Sequence, residues 1–176
     1  MDGWQQTMWY VLWTTTGKEE QTRDMIINRV PPELYSRCTI PYMKKRIFHE
    51  GKSRIVKQKL FPSYLFIETD TIRDFAAAVS SLPGFNIVLH TGEIFSPIYP
   101  HEEYILTKMM DVDSLIDISE GYLEGDNIIV TAGPLKGFEG MIRKVIRRRG
   151  IAILDLNIFN RRTQVRVGLE LLDKHN

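Results

Sequence analysis

The sequence predicts a two-domain α+β protein: an α/β sandwich over residues 1–110, a linker over 111–122 and a small β-barrel over 123–176. Three observations lead there. Strand-like runs alternate with helical ones up to about residue 110, the pattern of a layered sheet with helices against it. Beyond residue 123, short β-rich segments follow one another, joined by turns carrying Gly133-Pro134, Arg149-Gly150 and Asn160-Arg161. Between the two, residues 111–121 hold four acids, no base and a closing glycine. That segment reads as a linker, with Leu115, Ile116 and Ile118 able to dock on one neighbour.

Each element follows from local chemistry. Residues 8–14 are rich in aromatic and β-branched side chains, which suit a pleated strand. Thr14-Thr15-Thr16-Gly17-Lys18 is a turn. Residues 19–30 form a helix with two acids in its first turn and Met25, Ile26 and Val30 on one side; Pro31-Pro32 stops it. Residues 39–48 and 53–59 flank His49-Glu50-Gly51-Lys52, a hairpin with Gly51 in its turn. The continuous apolar run 60–67 is a central strand that tolerates Pro62 near its start. Asp70 or Thr71 caps a short helix whose Ile72, Phe75, Ala76 and Val79 share a face. Pro83-Gly84 ends that helix, and 86–90 return as a strand. Pro100 opens a last helix to about residue 110. Residues 127–131, 141–147, 151–157 and 163–168 are the barrel strands, with a fifth segment at 169–172.

Composition excludes several classes. With 43% hydrophobic and 26% charged residues in 176, the chain is neither disordered nor short of core. Cys38 is the only cysteine, so there is no disulfide framework. No apolar run approaches the ~18 residues that span a membrane. The start MDGWQQTMWYV has no basic segment followed by an apolar one. A cytoplasmic protein is expected, without a membrane partner. The 23 basic and 22 acidic residues sum to +1, but unevenly. Residues 1–120 hold 13 bases and 16 acids, a net −3; residues 121–176 hold 10 and 6, a net +4. The surplus clusters at Arg143, Lys144, Arg147, Arg148 and Arg149, then at Arg161, Arg162 and Arg166, which suggests an anion-binding C-terminal module.

Catalytic signatures are missing from the sequence. His49, His90, His101 and His175 have no metal-ligand spacing. There is no Gly-x-Ser-x-Gly elbow and no phosphate loop; the glycine-rich 133–140 stretch fits neither and reads as tight turns. A lone cysteine in a strand is usually buried and inert, as expected for Cys38. The expectation is a non-enzymatic protein without cofactor or metal.

Two sets of motifs point to a family. The first is Trp9-Tyr10-Val11-Leu12, Gly17-Lys18-Glu19 and Phe61-Pro62-Ser63-Tyr64-Leu65-Phe66. The second is Gly125-Asp126, Val130, Gly133-Pro134, Phe138-Glu139-Gly140 and Phe159-Asn160-Arg161-Arg162-Thr163. In this order they resemble the N-terminal and KOW domains of NusG-family transcription elongation factors, over residues 9–173. The resemblance implies an antiparallel sheet flanked by helices, then an SH3-like KOW barrel. Within the family, the 60–67 strand with Asp70 resembles RfaH. The arginine-rich barrel resembles the LoaP antiterminators, which act on long biosynthetic operons and recognise a hairpin in nascent RNA.

The resemblance also implies roles. Phe61, Pro62, Tyr64 and Phe66, with Trp13, match the apolar patch that sits on the clamp helices of RNA polymerase, and aromatic anchors suit such an interface. The competing reading is that alternate members fill the core, Phe61 and Ser63 facing away from Pro62 and Tyr64; Tyr64 is the favoured contact. Two departures stand out. Phe75-Ala76-Ala77-Ala78 replaces the polar run that touches the polymerase gate loop. Thr14-Thr15-Thr16 with Lys18 alone replaces the basic residues that read displaced DNA, so direct DNA contact is not expected. Lys136, Lys144, Arg147, Arg148, Arg149, Arg161, Arg162 and Arg166 are the candidate face for a structured RNA, with 147–149 as a projecting finger. Against this, a charge run is ordinarily a solvated turn, and Arg161 can serve the barrel. Rival readings are a general factor whose KOW domain binds Rho or a ribosomal protein through Ile158-Phe159, and a ribosome-associated RNA-binding protein in which 61–66 is only core. A monomer is expected. The β-branched Val130, Val145, Ile146, Ile151, Ile153, Val165 and Val167 favour a permanent barrel.

Overall fold

A computed structural model describes residues 7–82, 95–159 and 161–173. In chain order its elements are β1 (Met8–Trp13), α1 (Glu19–Arg29), β2 (Arg37–Thr39), β3 (Tyr42–His49), β4 (Lys52–Lys59), β5 (Tyr64–Thr69), α2 (Ile72–Ser80), β6 (Phe95–Ile98) and α3 (Pro100–Met109). Then come β7 (Leu115–Ile116), β8 (Ser119–Glu124), β9 (Asn127–Ala132), β10 (Ile142–Ile146), β11 (Ile151–Ile158) and β12 (Arg161–Leu171). The strand expected at 86–90 and its preceding Pro83-Gly84 stop lie outside the described residues. The chain folds as two compact units: Met1–Ile40 with Phe61–Glu103, and Pro41–Leu60 with Tyr104–Asn176.

The first unit is built on the antiparallel sheet β2-β5-β1-β6. Leu65, Phe66 and Ile67 are all buried, which explains the unbroken apolar run: this strand is covered on both faces. Val11 and Leu12 of β1, Ile26 of α1, and Phe75 and Val79 of α2 complete the core. Thr71 occupies the N-cap position of α2 but makes no side-chain cap. Instead, the Thr69 hydroxyl accepts the Thr71 N–H at 2.9 Å.

The second unit contains the sheet β10-β11-β12-β8-β9 and the smaller sheet β4-β3-β7. β12 joins two halves: residues 161–168 run antiparallel to β11, and Leu169–Leu171 run parallel to β8. The segments expected at 163–168 and 169–172 are therefore one strand. Leu154, Leu156, Ile158, Val165, Val167 and Leu169 turn inward and are buried. The segment read as a linker contributes β7, paired with β3, and the start of β8. Its acids serve turns: Asp111 Oδ1 accepts the N–H groups of Asp113 (2.9 Å) and Leu115 (3.0 Å). The β3–β4 hairpin closes as predicted, with Glu50 and Gly51 both at positive φ (51° and 74°), as a two-residue primed turn requires.

Candidate functional surfaces

The aromatic set divides by depth. Phe61 and Phe66 are buried, their rings stacked 5.6 Å apart, and Phe66 meets Trp9 edge-on at 6.0 Å. Pro62 is exposed, while Tyr64 and Trp13 are half-buried and directly opposed across β5 and β1. The expected alternation from residue 61 does not apply, because the strand starts only at Tyr64. Residues 61–63 form a turn in which Tyr64 N–H reaches the Phe61 carbonyl (3.2 Å) and Ser63 takes a φ of 74°.

A long-range hydrogen bond fixes that turn. The Ser63 N–H donates to Glu19 Oε1 at 2.8 Å, and Glu19 is fully buried at the start of α1. Thr14 N–H donates to the Ser63 carbonyl at 2.8 Å, and the hydroxyls of Thr16 and Ser63 hydrogen-bond. The motifs Gly17-Lys18-Glu19 and Phe61-Pro62-Ser63-Tyr64 are thus two halves of one device that presents Pro62 and Tyr64. Lys18 and Thr15–Thr16 are exposed beside it. In α2, Phe75 is buried and Ala77 exposed, so that stretch offers no polar side chain.

On the second unit, β10, β11 and β12 carry a basic outer face. Register places Lys144 and Arg166 on either side of Ile153, all three pointing the same way. Arg162 and Gln164 continue the row along β12. One acid interrupts it: Asp155 accepts from Arg162 and from Gln164 (3.2 Å), and Arg143 lies 3.6 Å away. The Arg162 hydrogen bond, with Gln164 and the two arginine charges, holds the Asp155 carboxyl below its usual range. At the end of β10, Arg147–Arg149 form a 3-10 turn that Gly150 closes at a φ of 57°. All three arginines are exposed. Among the described residues no carboxylate pairs with Lys144, Arg147, Arg148, Arg149 or Arg166. The structure does not bring the other two candidates to this row. Arg161 is on the inward-facing side of β12, opposite Ile158, and Lys136 sits in the loop after β9.

A basic element outside the expected set is the β3–β4 hairpin. Residues 41–60 hold seven bases and one acid, a net +6. Counted by structural unit, the first holds five bases and eleven acids (−6) and the second eighteen and eleven (+7). The signal was present in Lys44-Lys45-Arg46 and the spaced Lys52, Arg54, Lys57 and Lys59, but a division at residue 120 averages it into an acidic half.

Residues 7–116 match the family model described as transcription termination factor nusG, and residues 124–155 match the KOW motif. Neither model describes an enzyme. The transcription termination/antitermination protein NusG of Bacillus subtilis is 26% identical over 173 residues, covering 94% of this chain and 97% of that protein. Its counterpart in Thermus thermophilus is 27% identical, covering 89% and 92%. A solved structure, described as domain interaction in Thermotoga maritima NusG, shares the fold with a TM-score of 0.53 at 22% identity, over 94% of this chain and 96% of that one. No helix among the described residues is long and apolar enough to cross a membrane, and no group of three metal-ligating side chains occurs among them.

Proposed function

The chain belongs to the NusG family, and from that membership we propose that it is a processive antiterminator of the specialised kind. In this reading the first unit grips RNA polymerase and the basic face of the second holds a structured leader RNA. The observation that carries it is the row Lys144–Ile153–Arg166 beside the Arg147–Arg149 turn, cations with no carboxylate partner among the described residues. Unpaired, exposed cations on a rigid sheet attract phosphate and release counterions when it binds. An A-form stem offers a broad, shallow groove and dense phosphates, which such a face suits.

The polymerase contact is carried by Pro62, Tyr64 and Trp13, with Phe61 and Phe66 stacked beneath as support. The rival partner for the second unit, Rho or a ribosomal protein through Ile158-Phe159, has less to hold: Ile158 is fully buried and only Phe159 reaches the surface. A role in transcription places the protein in the cytoplasm. The two surfaces separate by mutation. Tyr64→Ala with Trp13→Ala should abolish polymerase pull-down and leave RNA affinity intact; Arg147→Ala, Arg148→Ala and Arg149→Ala together should do the reverse. Capture of Rho or a ribosomal protein in place of a leader RNA sinks the specialised reading.

A further inference from the structure

The outer face of β12 runs from Arg162 through Gln164 and Arg166 to Gly168 and Glu170, every second residue pointing outward. The last two of these receive the β3–β4 hairpin. A Cβ at Gly168 would collide with the Lys44 carbonyl oxygen, so glycine is what lets the hairpin seat there. Arg46 pairs with Glu170 at 2.6 Å, and Lys44 with Asp117 at 3.0 Å. The hairpin therefore starts where the basic barrel face ends, one outward position beyond Arg166.

What it presents is unusual for a solvated edge. Lysines on an edge strand ordinarily deter strand pairing between molecules. Here Lys44 faces Lys57 across the ladder, a like-charge pair held in place by Asp117 on Lys44 and by the Tyr42 ring under Lys57. Lys52, Arg54 and Lys57 are exposed, and among the described residues no carboxylate pairs with them. Phe48 and Ile55, diagonal neighbours on one face, are 71% and 52% exposed, which edge protection would not leave. Lys57 shares the Phe48 face, where its ammonium lies over the Tyr42 ring at 4.0 Å, while Lys52 and Arg54 point from the other face of the hairpin. Cations on both sides of an exposed aromatic ring are the chemistry that tracks phosphates and stacks on unpaired bases.

We propose that the β3–β4 hairpin is a second arm of the RNA surface: Lys52, Arg54 and Lys57 hold phosphates, and Phe48 stacks on an unpaired loop base. The proposal rests on the reading of the barrel as an RNA-binding face. Continuity with that face, and a ring suited to bases that a continuous duplex keeps stacked, favour an RNA stem-loop over duplex DNA.

Fluorescence anisotropy on the full chain tests it, with a defined RNA stem-loop, the same stem without its loop, and duplex DNA of the same sequence. The variants are Lys52→Ala/Arg54→Ala/Lys57→Ala, Phe48→Ala and the Arg147–Arg149 alanine triple; all change exposed side chains, and thermal melts confirm the fold. The hairpin triple is expected to weaken stem-loop binding about tenfold or more near 0.1 M salt. It should also lower the slope of log affinity on log salt by about 2 to 3. Phe48→Ala should lose at least about fivefold on the stem-loop and nothing on the loopless stem. Unchanged affinity and slope in the hairpin triple, with loss in the barrel triple, overturn the arm and leave the barrel reading standing. Loss in the hairpin triple with a silent barrel triple removes the barrel reading and overturns the hairpin as a second arm, leaving it a separate RNA contact. A larger loss on duplex DNA than on RNA overturns the arm as an RNA element.

Discussion

Replacing Glu19 by alanine should damage both stability and polymerase binding, because one carboxylate oxygen fixes the turn that presents Pro62. The Ser63 N–H now bonds Glu19 Oε1 at 2.8 Å, a part-buried bond to a fully buried side chain. Without it that donor loses its partner, which typically costs about 1–3 kcal/mol. Ser63 is held at a φ of 74°, which for a residue with a Cβ costs about 1–2 kcal/mol, so the turn has reason to relax once released. In a chain of this size about 2 kcal/mol shifts the melting temperature by about 4–8 °C. Glu19→Gln keeps a carbonyl acceptor of the same shape and should recover about half of that loss. Melting followed by circular dichroism gives the first number, and pull-down of RNA polymerase the functional one: Ala should bind worst and Gln between Ala and the parent. An alanine variant melting within about 1 °C of the parent, or a glutamine variant as poor as alanine, would refute the reasoning.

Four further outcomes follow from particular residues. Asp155→Asn should tighten RNA binding and steepen its salt dependence, since Arg162 and Arg143 lose the carboxylate they share. Asp155 and Asp117 both titrate below their ordinary 3.8 when folded; Arg162 is the main cause for the first, and the Ile118 N–H followed by Lys44 for the second. Their contribution is present above that value and disappears as pH falls through the lowered ones, so acid melts should show stability declining from about pH 4 downward. Burial pushes the Cys38 thiol up to about 12, so alkylation at pH 8 should run about a thousandfold slower than for an unfolded control. Glu50→Asn in the hairpin turn relieves a side chain at a φ of 51° and should raise stability by about 0.5–1 kcal/mol in urea melts.

Much of the fold was legible because its causes are local. The apolar run ending in Ile67, the Glu50-Gly51 turn and the β-branched barrel segments each announce themselves within a few residues. Short strands were not: β2 has three residues, and β6 contains Pro97, which breaks the pattern and is tolerated at the sheet edge it occupies. The acids of 111–121 read as a linker because composition does not distinguish a solvated chain from carboxylates accepting turn N–H groups. The turn at Phe61–Ser63 read as strand because its conformation is set by Glu19, 44 residues away. The same limit applies to the site. Arg147–Arg149 project from a turn as their neighbouring glycine suggested, whereas Arg161 faces the other side of β12. The hairpin joins the barrel's basic face only through Gly168, Asp117 and Glu170, contacts that span more than seventy residues of chain and leave no local mark.

Transcription in vitro through an intrinsic terminator, with and without a leader RNA hairpin upstream, tests the account most directly. The account predicts readthrough that requires the hairpin and is lost in the Arg147–Arg149 alanine triple, while that variant still binds polymerase. Readthrough that is the same without the hairpin, or that survives removal of those three charges, would contradict it.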